Sequence, residues 1–112
     1  MSIIFKDYKL WGTANWVTRA LFQDIESYLD QTPVVGPHIK MCINLDLDTL
    51  DLRDMDLQCV SQMEFLVQKA IQDNKISQGS NFHDPTVFPV YIEKLEELGY
   101  MIHNVLNDMS IE

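Results

Sequence analysis

Five aspartates, Asp46, Asp48, Asp51, Asp54 and Asp56, fall within eleven residues, and Arg53 is the only cation among them. Carboxylates this dense first suggest a hard cation, because calcium takes several oxygen ligands. The spacing does not make an EF-hand. A loop begun at Asp46 puts Leu50 at a ligand position and Leu57 where the closing glutamate belongs. One begun at Asp54 puts Gln58 at the fifth place and Phe65 at the twelfth, and neither frame has the central glycine. Histidine offers little more. His38, His83 and His103 are far apart, and none stands in an HxH, HxxxH or CxxC setting. His83-Asp84 could form half of a catalytic pair, although a solvated loop histidine is the commoner meaning. Nucleophile elbows, phosphate-binding loops and dinucleotide fingerprints are all absent. The sequence therefore reads as a protein that is not an enzyme and that uses no metal or cofactor.

A local account covers part of the aspartate run. Asp46 and Asp48 alternate with Leu45 and Leu47, as on the wet face of a strand. Asp51, Asp54 and Asp56 precede a helix, where carboxylates cap free N–H groups and favour the positive dipole end. That account leaves the scarcity of nearby cations unexplained, and a surface that binds a positively charged partner supplies the reason. Residues 1–45 carry four bases and four acids, so the remaining 13 acids and 4 bases hold the whole net charge of −9. A second acidic patch lies on the outer face of the last predicted helix, where Glu93, Glu96 and Glu97 surround Tyr100. Phe65 points away from its helix's apolar stripe, and Trp16 stands off another beside Arg19 and Gln23. Aromatics ringed by acids or amides have the anchor-and-rim composition of protein interfaces. Candidate partner-binding residues are thus Asp46, Asp48, Asp51, Asp54, Asp56, Phe65, Glu93, Glu96, Glu97 and Tyr100.

The elements that must position these residues follow from periodicity. Ser2 to Trp11 is expected to be a strand closed by Gly12. Thr13 is a fitting N-cap for a helix to about Gln31, with Ala14, Val17, Leu21, Ile25, Tyr28 and Leu29 on one face. The Pro33–Pro37 segment ends it. Ile39, Met41, Ile43, Leu45 and Leu47 alternate with polar residues and Cys42, which predicts a strand over 39–47 with one buried face. A bulge or turn follows at Asp48-Thr49. A helix from Asp54 or Asp56 to about Asn74 carries Val60, Met63, Val67, Ala70 and Ile71 on one stripe, and residues 75–84 form a polar loop. Thr86 caps the last helix, whose core face runs from Phe88 through Tyr91, Leu95, Leu98, Ile102 and Val105 to Leu106 and Met109. This order predicts an α+β fold of about two strands and three helices, with an all-α bundle as the alternative.

At 112 residues with 46% hydrophobic side chains the chain reads as one globular domain, 1–112. No apolar run reaches the roughly 20 residues of a membrane helix, and no secretory signal is visible. Cys42 and Cys59 read as reduced, buried thiols in a cytoplasmic protein. Scattered Lys and Arg argue against nucleic acid as ligand. In size and charge the whole chain resembles the bacterial immunity proteins that neutralise nuclease toxins, including those of contact-dependent growth inhibition. No family motif residues carry over. The resemblance implies a cytoplasmic, non-enzymatic antidote that covers a basic toxin domain at or beside its active site. An acidic secretion or assembly chaperone, binding a client segment through an apolar surface, is the alternative.

Overall fold

A computed structural model of the chain describes residues 2–80, 82 and 84–111; the His83 reading lies outside them. The fold is α+β, with a three-stranded sheet and four helices rather than two strands and three helices. The N-terminal segment is two strands, β1 (Ser2–Phe5) and β2 (Lys9–Gly12). They pair antiparallel through the Lys6–Tyr8 turn, where Asp7 and Tyr8 both take positive φ (61° and 59°). β3 (Thr49–Asp51) joins the other edge of β1 in parallel, giving the order β2-β1-β3. Ile3 faces Trp11 on one side and Leu50 on the other, so three buried side chains cross the inner face of the sheet. Successive strand residues point to opposite faces, which leaves Ile4, Leu10 and Asp51 on the outer one.

Helix α1 (Asn15–Ile25) continues as a 3-10 segment, Glu26–Gln31. The predicted stripe holds at Val17, Leu21, Ile25 and Leu29, all buried, but the N-cap is Ala14 rather than Thr13. The main disagreement is over residues 39–47. They do not form a strand: α2 spans Gly36–Asn44, and β3 begins only at Thr49. The alternation hides a helical stripe, because Val35, Ile39 and Cys42 are four and three residues apart and all buried. Pro37 in the first turn costs no helical hydrogen bond, so Gly36-Pro37 opens the helix instead of ending structure.

Helix α3 (Leu57–Ser77) starts where predicted, with Asp56 as N-cap accepting from the Cys59 N–H at 3.0 Å. It runs past the expected end into the segment read as a loop, closing on Gln78 in the left-handed region. Before α4 (Phe88–Ile111) lies a 3-10 turn, Pro85–Val87. Its cap is Asp84, which accepts from the Thr86 N–H and hydroxyl, so Thr86 sits inside the turn and does not cap the helix. The two long helices are antiparallel: Gly79 lies beside Phe88, Gln68 beside Gly99 and Glu64 beside His103. A Cβ on Gly99 would meet the movable end of Gln68 at 3.3 Å and otherwise only ordinary contacts with Ile71 and Val67.

One polar cluster crosses this apolar core. Asp24 Oδ2 on α1 accepts from Tyr91 OH on α4 at 2.5 Å and from Asn74 Nδ2 on α3 at 2.8 Å. Asn74 also donates to the Ala70 carbonyl at 2.7 Å. Burial first, and then the hydrogen bond to Asp24, push the Tyr91 phenol well above its ordinary 10.0. Tyr91→Phe keeps the ring and removes the donor, and is expected to cost about 2 kcal/mol, the range for a hydrogen bond to a charged group. Because folding raises this pKa, the contribution is full below pH 10 and is lost as pH rises further, when the unfolded tyrosine ionises first. Unfolding midpoints measured from pH 7 to 11 are expected to converge for wild type and variant at the alkaline end; a constant gap would mean that the phenol is not protected by folding.

Candidate functional site

The best-formed concavity lies between α1 and α2, and the packing of α2 creates it. Gln62 Oε1 accepts from the Val34 and Val35 N–H groups at 2.9 and 3.1 Å, which pins the start of α2 to α3. A Cβ at Gly36 would stand 2.6 Å from the Leu29 carbonyl oxygen, so only glycine allows α2 to enter so close to the end of the 3-10 segment. The far end closes in a Schellman motif: the Leu47 N–H bonds the Cys42 carbonyl at 3.0 Å and the Asp46 N–H bonds that of Ile43 at 3.4 Å. Asp46 holds the left-handed position with φ 50°, where glycine is the usual occupant.

The resulting groove encloses about 410 Å³. Phe22, Cys42, Ile43 and Leu47 supply its apolar part; Glu26, Asp46 and Asp48 are its acids, and Arg19 is the one cation among the lining residues. Apolar surface continues outside it. Met41, Ile43, Leu45 and Leu47 are 54, 40, 63 and 40% exposed. These are the residues whose alternation predicts a buried strand face; folded as a helix and turn, the segment buries Ile39 and leaves the other four in water. Reading Gly36-Pro37 as a helix start and the 35/39/42 stripe as its buried side would have found this surface.

The aspartate run does not act as one unit. Asp46 and Asp48 line the groove, in the turn after α2 and not on a strand face. Asp51 faces Arg53, which donates to it through Nε at 2.9 Å and Nη2 at 2.6 Å, while the Arg53 guanidinium lies 4.9 Å from the Tyr8 ring. Asp54 is exposed in the turn before α3, and Asp56 is the α3 cap. On α4, Tyr100 is 71% exposed and lines a separate shallow groove with Glu96, Glu64, Gln68 and His103. Glu96 approaches Lys75 at 3.9 Å and Glu97 approaches Lys94 at 3.3 Å, while Glu93 is exposed. The two acidic patches share no lining residue. Phe65 is half-buried, edge-on to Tyr28 with Lys69 over its ring, and so belongs partly to the core. Trp16 leans on Tyr91 at 6.4 Å.

No protein family, curated protein or solved structure matches the chain. Function has to be read from this surface. Among the described residues, no three His, Cys, Asp or Glu side chains come together as a metal site, and no helix is long and apolar enough to cross a membrane. Cys42 and Cys59 are free, buried thiols; desolvation pushes both up in pKa, with the Asp56 charge adding at Cys59. A thiol held away from its thiolate form is a poor nucleophile.

The Asp51–Arg53 pair gives a pH prediction. Hydrogen bonding from Arg53, side chain first and backbone second, lowers the Asp51 carboxyl from 3.8 to about 2. A depressed carboxylate stabilises the fold above its unfolded pKa, and that contribution is lost as pH falls from about 4 through about 2. Solvent screening keeps it small at this exposed site. Arg53→Ala is expected to return Asp51 to the ordinary carboxylate range in an NMR titration, with little change in melting temperature at pH 7. An Asp51 that titrates alike in both proteins would show that the pair does not persist in solution.

Proposed function

We propose that this chain is a non-enzymatic binding protein that neutralises a basic protein, and that the partner is a nuclease toxin domain whose active site it covers, as immunity proteins do. One observation carries the reading: most of the cations that could offset its carboxylates are already engaged, and Arg19 is left facing the three acids of the groove. Lys9, Lys40, Arg53, Lys75 and Lys94 face Asp108, Asp30, Asp51, Glu96 and Glu97. Lys69 lies over the Phe65 and Tyr28 rings. Glu26, Asp46, Asp48, Asp54 and Glu93 have no ion pair among the described residues, so the surplus charge stands open to solvent. A nuclease site is built to hold phosphate, and a carboxylate surface fits it by mimicry and reaches it quickly through steering. The same charge repels nucleic acid.

A second reading has its own support. The exposed Met41, Ile43, Leu45 and Leu47 are what a chaperone would offer to an apolar client segment. One experiment separates the two. The protein encoded beside this chain is purified and mixed with it in stopped flow and in a nuclease assay. An antidote is expected to abolish cleavage at one-to-one stoichiometry, with an association rate that falls about tenfold as salt rises past the range where the Debye length is about 8–10 Å. A rate indifferent to salt would sink the basic-partner reading. A partner that stays active, yet becomes soluble only with this chain, would favour the chaperone.

A further inference from the structure

We infer that the α1–α2 groove is the docking surface and that its occupant is a cationic amphipathic helix of the partner protein, an inference that rests on the basic-partner reading above. The apolar surface sets the first requirement. Ile43 and Leu47 line the groove while Met41 and Leu45 extend the same segment outward, all four in contact with water in the free protein. An apolar stripe with spaced anchors covers such a surface.

Charge sets the second requirement. Glu26, Asp46 and Asp48 outnumber Arg19 three to one among the lining side chains, so the anchors are to be flanked by Lys or Arg. A second copy of this chain fits poorly, because a symmetric contact would bring its own Glu26, Asp46 and Asp48 against the same three acids.

Backbone sets the third. The Leu45, Asp46 and Leu47 N–H groups are all engaged with carbonyls of α2. An extended peptide would find no free ladder here, whereas a helix brings its own backbone satisfied.

Asp46 makes the inference testable without risk to the fold. It stands at a left-handed position that glycine adopts without steric cost, yet it puts a carboxylate at the groove. Asp46→Gly is therefore expected to raise the melting midpoint by about 4 °C and to weaken docking.

The probe is a fluorescent helical peptide of leucine and lysine, leucines at i, i+3, i+4 and i+7, followed by anisotropy at low salt. Asp46→Gly and Leu47→Ser are each expected to weaken binding about tenfold, while Asp108→Asn, which removes the same charge from α4 where it is already paired with Lys9, changes it by less than about twofold. Equal losses from Asp46→Gly and Asp108→Asn, or no effect of Leu47→Ser, would overturn the groove while leaving the basic-partner reading in place. Wild type that ignores the cationic peptide would bring down both. A lower midpoint in Asp46→Gly would refute the assignment of Asp46 to binding over stability. Wild type that sediments as a dimer, with Leu47→Ser monomeric, would make a second copy the occupant.

Discussion

The Asp24 carboxylate accepts hydrogen bonds from two other helices at once, and that sets how α1, α3 and α4 register against one another. Tyr91 and Asn74 are almost wholly buried, so each needs a partner with fixed position and direction, unlike the surrounding leucines and valines, which tolerate sliding. A shift of α1 by one residue along α3 and α4 would keep much of the apolar contact and strand the phenol and the amide. The cluster thus specifies register as well as adding stability. The floor of the groove inherits that register, because Phe22 lies two residues before Asp24 on the same helix and α2 packs beside it.

Helices α3 and α4 were legible because their stripes are long, and α3 also because its cap is conventional. Val60, Met63, Val67, Ala70 and Ile71 are all buried as their spacing requires, and Asp56 caps α3 as an aspartate before an apolar run should. The 39–47 segment misled for a physical reason. A short stretch of alternating residues also contains three- and four-residue steps, so period alone cannot decide between strand and helix. What decided was tertiary: Gln62 and Gly36 fix the start of α2, and neither effect is visible without knowing which residue lies opposite. The N-terminal hairpin was read as one strand because its turn uses Asp7 and Tyr8 at positive φ, where Asn-Gly would have announced it.

Charge that is contiguous in sequence is divided in space. Asp51 is bound to Arg53, Asp56 serves α3, and only Asp46 and Asp48 share a cavity. The sequence therefore pointed to two of the acids that line this groove and was silent about its apolar side, which the strand reading places in the core. Glu26, distant from the run in sequence, joins the two aspartates because α2 packs against the 3-10 segment that Glu26 opens.

The sheet has two edges, and both are short. β2 offers four residues, including Lys9 paired to Asp108, and β3 offers three, ending in an Asp51 already held by Arg53. Short, charged edges give an incoming chain too little ladder to continue the sheet, which is how natural β proteins avoid growing into fibres. This molecule can expose leucines beside its α2 turn and still resist polymerising through its strands. The surface left open to encounter is one of side chains, where selectivity among partners is set by shape and charge rather than by the sequence-blind pairing of backbones.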